Sequence, residues 1–99
     1  VTAGGVAEDA NLLLDVARTY LGLRQWVEAA REAQKALALD EDMLPAYLVR
    51  ADALHRMHLT DKAIKLLRDA VQRDPDNGEV SGRLKWLKRL ADDTSRLLE

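Results

Sequence analysis

The sequence predicts an all-α fold built from helical hairpins, and three observations predict it. Apolar residues recur at steps of three and four along most of the chain, the spacing that lines one face of a helix. Apolar residues make up 47% of the sequence and charged residues 32%, with Phe absent and strong helix formers throughout. The segment from Ala10 to Met43 also repeats its small and apolar positions in the segment from Leu44 to Asn77. An offset of 34 residues carries Leu14 onto Leu48, Ala17 onto Ala51, Ala29 onto Ala63, Ala36 onto Ala70 and Asp40 onto Asp74. No β-branched alternating run suggests a strand.

The helices follow in order. Leu12, Leu13, Val16, Ala17, Tyr20 and Leu23 mark one face of a first helix from about Glu8 to Gly22. Gly22 lowers helix propensity there and places a turn at Gly22–Gln25. A second helix runs from about Gln25 to Leu39, with Trp26, Ala29, Ala30, Ala33, Ala36, Leu37 and Leu39 inward. Asp40-Glu41-Asp42 breaks the pattern. The third helix starts near Leu44, with Pro45 in its first turn, where a missing N–H costs nothing. It turns Tyr47, Leu48, Ala51, Leu54 and Met57 inward and ends by His58. Thr60 is the expected N-cap of a fourth helix, with Asp61 at the positive end of the dipole. That helix buries Ala63, Ile64, Leu66, Leu67, Ala70 and Val71, and Asp74-Pro75 stops it. Asp76-x-x-Glu79 reads as a capping box for a fifth helix to about Leu97. Val80, Leu84, Leu87 and Ala91 form its apolar stripe, and Arg83, Lys85, Lys88 and Arg89 are expected to face water. Asp92-Asp93-Thr94-Ser95 is expected to weaken it, and Leu97-Leu98 to fray or pack elsewhere.

Composition narrows the function. Ninety-nine residues support one domain or a piece of a larger protein. Val1–Gly5 has no initiator Met and reads as a cut end, with residues 1–7 a flexible terminus. A net charge of −2 gives no bulk attraction to nucleic acid. The absence of Cys excludes disulfides, thiolate nucleophiles and Cys-based zinc sites. No apolar run approaches the ~18–20 residues of a membrane span, and the N-terminus lacks the regions of a signal peptide.

The repeat offset is about the length of a tetratricopeptide repeat, and the repeated positions carry the resemblance. Leu13, Ala17, Tyr20, Trp26, Ala29, Ala33 and Ala36 match the family's small and aromatic pattern in one copy; Tyr47, Ala51, Leu54, Ala63, Leu67, Ala70 and Pro75 match it in the next. Residues 10–77 thus resemble two tetratricopeptide repeats, about 10–43 and 44–77, and residues 78–99 resemble a capping helix with a tail. Departures exist: Glu41 stands where the family closes a repeat with Pro, and Thr60 where the first copy has Trp26. Ala17, Ala51, Ala29 and Ala63 fall where paired helices cross. A larger side chain overpacks such a crossing by about 1–3 kcal/mol, so Ala63→Leu is expected to lower the melting temperature. An unchanged melt would contradict this register.

The resemblance implies a non-enzymatic protein–protein interaction module, the adaptor or scaffold part of a larger protein, with a concave groove lined by the first helix of each repeat. By register the groove holds Asn11, Leu14, Arg18, Leu21 and Gly22, then Pro45, Leu48, Asp52, His55 and Arg56. The expected contacts with a partner protein or peptide are Asn11, Leu14, Arg18, Leu48, Asp52, His55, Arg56 and the aromatic Trp86. Leu14 and Leu48 supply apolar contact, and Arg18 and Arg56 pair with carboxylates. The plainer reading is a solvated face with Asp52–Arg56 as an i,i+4 pair. Family members that clamp the acidic tails of heat-shock chaperones carry Lys, Asn, Asn, Lys and Arg where this chain has Leu14, Arg18, Val49, Glu79 and Arg83. Only Arg83 fits, so the expectation is a co-chaperone-like adaptor without that clamp.

Other chemistries fare worse. His55-x-x-His58 offers two imidazoles, but a metal needs more ligands, and with no Cys and no third His only Asp52 or Asp61 could assist, loosely. No nucleophile–base pair, phosphate loop or paired carboxylate supports catalysis, so no cofactor is expected. Arg83–Arg89 (RLKWLKR) is the one stretch suited to membrane or RNA contact, and it is more simply the wet side of the cap. Self-association through Trp86 and Leu97-Leu98 is the structural alternative.

Overall fold

The computed structural model describes residues 9–98. It contains α1 (Ala10–Gly22), α2 (Trp26–Leu39), α3 (Leu44–Arg56), α4 (Thr60–Arg73) and α5 (Gly78–Leu98), with no strand among the described residues. Each boundary of the first hairpin recurs in the second: Ala10 and Leu44, Gly22 and Arg56, Trp26 and Thr60, Leu39 and Arg73 differ by the same offset. Successive helices pack together, and α3 also touches α1 and α5. The first helices of each unit therefore form one row. The molecule is a slab of 57 × 29 × 16 Å. The expected flexible end, residues 1–7, lies outside the described residues, and α1 begins at Ala10 rather than Glu8.

The helix ends show why the hairpins turn where they do. At the end of α1 the Arg24 N–H donates to Leu21 O (3.0 Å) and the Gln25 N–H to Tyr20 O (2.9 Å). At the end of α3 the His58 N–H donates to His55 O (3.0 Å) and the Leu59 N–H to Leu54 O (2.9 Å). Both are Schellman ends, which require a left-handed residue just past the helix. That residue is Arg24 (φ 62°) in one hairpin and His58 (φ 64°) in the other. Gly22, the expected turn-maker, is helical. Glycine is the residue suited to such a position, and His58 is exposed. His58→Gly is therefore expected to stabilise the fold by roughly 0.5–1 kcal/mol, the left-handed penalty less the entropy added to the unfolded chain. Thermal melts test this; a lower melting temperature would contradict it.

Two expected caps differ. Thr60 is the first helical residue of α4, and Leu59 holds the N-cap position without a side-chain bond. The Thr60 hydroxyl instead lies 3.0 Å from His55 Nδ1, tying the start of α4 to the end of α3. The capping box at Asp76 is replaced by Asn77, whose Oδ1 accepts from the Val80 N–H at 3.0 Å. Asp76 remains in the turn, its N–H donating to Asp74 Oδ1 at 3.2 Å. The equivalent turn repeats this bond, from the Asp42 N–H to Asp40 Oδ1 at 3.1 Å.

Two clusters form the core, and α3 belongs to both. Ala46 and Val49 face back onto Leu13, Leu14, Ala17, Ala33 and Ala36. Leu44, Tyr47, Ala51 and Leu54 face forward onto Ala63, Ile64, Leu67 and Ala70 of α4 and onto Val80 and Leu87 of α5. Ala17, Ala29, Ala51, Ala63 and Ala70 have no exposure, as backbones in close contact require. Leu48 and Met57 are only partly buried, whereas Ala46, Val49 and Ala53 are buried outside the single face expected for α3. A helix covered on two sides needs apolar residues around most of its girth. At the open end of the first hairpin the matching positions are uncovered. Leu12 there is 51% exposed where Ala46 is buried, and Leu23, expected inward, is 61% exposed. Leu39, also expected inward, projects into solvent from the end of α2.

The fifth helix caps the forward face. Val80 and Leu87 are fully buried, with Leu84, Leu90 and Ala91 packed beside them. It runs unbroken through Asp92–Ser95, the stretch expected to weaken it. Those residues are exposed and cost only a few tenths of a kcal/mol in propensity, and the Thr94 hydroxyl donates back to Leu90 O at 2.9 Å. Arg73 pins the turn between repeats by donating to Asp42 Oδ1 at 3.0 Å and lying 6.0 Å over the Tyr47 ring. The Tyr47 hydroxyl donates to Glu41 O at 2.9 Å, and burial pushes its pKa above the ordinary phenol value despite the nearby Arg73 cation.

Candidate functional site

The row formed by α1, α3 and α5 carries a cleft of about 180 Å³. Leu21 comes from α1, Trp26 from the start of α2, Asp52, His55 and Arg56 from α3, and Arg83 and Trp86 from α5. The Schellman turn after α1 brings Trp26 beside the last turn of α3. There the Arg56 guanidinium lies 5.6 Å from the Trp26 ring centre, with Arg24 at 5.9 Å. These distances are within the range of cation–π attraction. Opposite, Arg83 lies 5.7 Å over Trp86, and the His55 ring meets Trp86 edge-on with centroids 5.6 Å apart. Asp52 forms an ion pair with Arg83. The His55–Thr60 bond fixes the imidazole orientation.

Of the expected contact residues, Asp52, His55, Arg56 and Trp86 meet in this cleft. Asn11 and Arg18 are exposed on α1 outside its lining. Leu48 is half-buried against the forward core. Leu14 requires correction: it is only 6% exposed and packs with Ala46 and Val49, so it has little apolar surface left for a partner. The suggested Asp52–Arg56 pair is absent, because Asp52 turns to Arg83 and Arg56 stacks on Trp26. Arg83 accordingly does not face water as a free cation; its side chain is 35% exposed. Trp26, expected in the core, is a half-buried wall of the cleft. Asp52 and Arg83 are 31 residues apart, one repeat less one helical turn, a spacing that puts them on facing first helices.

The chaperone-clamp positions are now concrete. Leu14 and Val49 are core residues, Glu79 is exposed with the opposite charge, and Arg83 is already paired. His58 lies in the turn beyond α3, so it does not continue the helix face of His55. Among the described residues no group of three or more His, Cys, Asp or Glu could hold a metal ion. No helix there is long and apolar enough to cross a membrane. A larger depression of about 420 Å³ lies between α3 and α4, lined by Arg50, Leu54, Lys62, Lys65, Leu66 and Asp69. It has no aromatic wall and draws on only two helices, so it offers a partner less to recognise.

The tetratricopeptide repeat profile matches residues 20–85. No curated protein sequence matches significantly. The first tetratricopeptide domain of Spaghetti (RPAP3), solved bound to the HSP90 peptide SRMEEVD, superposes with a TM-score of 0.77. The two are 21% identical over 85% of this chain and 68% of that one. The Arabidopsis OM64 tetratricopeptide domain gives a TM-score of 0.75 and 25% identity over 82% of this chain and 67% of that one. The second domain of human RPAP3, solved with the HSP70 peptide SGPTIEEVD, gives 0.75 and 22% over 81% and 67%. A match across two in-register hairpins, with structural likeness over most of the chain, settles the family: this chain belongs to the tetratricopeptide repeat family.

Proposed function

We propose that the chain is a non-enzymatic interaction module that takes up an extended or helical segment of a partner protein in its concave cleft. Two repeats, about 10–43 and 44–77, with the cap from residue 78 onward, act as one scaffold. The observation that carries this reading is the cleft itself. Four helices converge on it, two indoles wall it, and Arg56 lines it with no carboxylate partner among the described residues. Aromatic and Arg side chains in a concavity are the groups that dominate binding energy at protein interfaces. Two of the similar domains were solved with chaperone peptides, which supports peptide uptake as the mode. The residues at the clamp positions favour a ligand other than a chaperone tail.

The test is a peptide array probed with wild type and with the Arg56→Glu/Trp86→Ala variant. Arg56 is exposed, Trp86 is about half exposed and neither belongs to the core clusters, so the variant is expected to fold, with circular dichroism as the check. The expected result is about a tenfold or greater loss of signal, the usual scale for removing two interface anchors. An unchanged set of captured peptides would refute the cleft as the site. A second copy of the chain is the alternative occupant, suggested by Leu97, which is 87% exposed on α5. Sedimentation at rising concentration decides that; a persistent monomer removes it.

A further inference from the structure

We propose that the cleft reads a two-residue signature: a large apolar or aromatic side chain next to an acidic one, within an internal stretch of the partner. This inference rests on the cleft being the binding site. The apolar half follows from the walls. Trp26 and Trp86 are the two tryptophans of the chain, and both border the cleft, each with a guanidinium over its ring. A volume of about 180 Å³ corresponds to roughly six waters, room for one large side chain but not for a row of them. A side chain entering between the indoles replaces that water with aromatic contact, the offset or edge geometry such rings favour.

The acidic half follows from charge. Asp52 and Arg83 cancel each other. Arg56 remains, backed by Arg24, and neither has an ion-pair partner among the described residues. The chain as a whole is nearly balanced, at −2, so the attraction for a carboxylate here comes from this local pair of guanidinium groups. A carboxylate beside the inserted side chain meets Arg56 in its forked geometry; a basic neighbour is repelled. Leu14 and Val49 are buried apolar residues, and the exposed donors of α1, Asn11 and Arg18, lie outside the cleft lining, so the cleft does not gather donors around a chain terminus. The carboxylate is therefore a side chain.

A random-peptide library displayed as N-terminal fusions, so that the peptide carries no free C-terminus, is the probe. It is selected on the immobilised chain, with the Trp86→Ala variant as the counter-target. The expected consensus pairs Phe, Trp, Leu or Met with Asp or Glu. A synthetic peptide of that consensus shifts the emission of the two indoles, and Arg56→Gln weakens it about five- to tenfold while leaving the far-ultraviolet spectrum unchanged. A consensus lacking an acidic residue, or one rich in Lys and Arg, overturns the signature while the cleft reading stands, provided Trp86→Ala loses the peptides. Selected peptides that Trp86→Ala retains equally, or no enrichment at all, overturn the cleft reading and the signature with it.

Discussion

Replacing Leu67 with alanine lowers the unfolding free energy by about 2–5 kcal/mol, the range for deleting a buried leucine side chain whose cavity cannot collapse. Leu67 is fully buried in α4, in the cluster that joins α3, α4 and α5. Its neighbours Ala63 and Ala70 are too small to fill the space, and the close helix crossing they create leaves little backbone freedom to do so. At roughly 4–8 °C of melting temperature per kcal/mol for a domain of this size, the shift is easily read in a thermal melt. Leu12→Ala is the matched control: Leu12 is 51% exposed, and its replacement is expected to stay within about 0.5 kcal/mol. A Leu67→Ala loss below about 1 kcal/mol would mean that the forward cluster is not close-packed.

Leu87→Ala produces a loss of similar size, about 2–5 kcal/mol, and it tests something different. Leu87 lies on α5, outside the two repeats, and is fully buried against them. Two hairpins alone leave the apolar forward face of α3 and α4 open, and repeat proteins need such faces covered. If α5 is that cover, the variant unfolds in one transition at lower temperature. If α5 is an independent appendage, the variant loses part of its helical signal first and the main transition stays in place. The second outcome would separate the cap from the fold.

The parts of this fold that were legible in the sequence are those set by local requirements that recur. Ala17 and Ala51, Ala29 and Ala63, and Ala36 and Ala70 mark crossings where only a small residue fits, so their common offset locates both hairpins. The stripe of Val80, Leu84, Leu87 and Ala91 was legible because one side of α5 packs and the other is wet. What was hidden depends on neighbours distant in sequence. The two-sided burial of α3 follows from its place between hairpins, which no pattern within α3 discloses. Leu14 and Leu48 match in register, yet Leu14 packs into the rear cluster while Leu48 keeps part of its surface. The left-handed turns escaped notice because Arg24 and His58 stand where glycine signals such a turn, while Gly22 drew attention to a position still inside the helix. In the cleft, Asp52, His55 and Arg56 were legible as residues on the first helix of the second repeat, and Trp86 as an aromatic of the capping helix. Trp26 and Arg83 were not, because their roles come from the turn after α1 and from an ion pair across to α3.

The central claim is that the concave cleft between α1, α3 and α5 is the surface this scaffold presents to a partner. Chemical-shift mapping on the isotopically labelled chain, titrated with a peptide obtained by selection, tests it most directly. With two tryptophans, the chain has two indole N–H signals, and both report on the cleft. The account predicts that both indole signals move, together with the amides of Asp52, His55, Arg56 and Arg83, while Lys62, Lys65 and Asp69 on the outer depression stay still. Perturbations centred on Arg50, Lys62 and Lys65, with both indole signals unmoved, would contradict it.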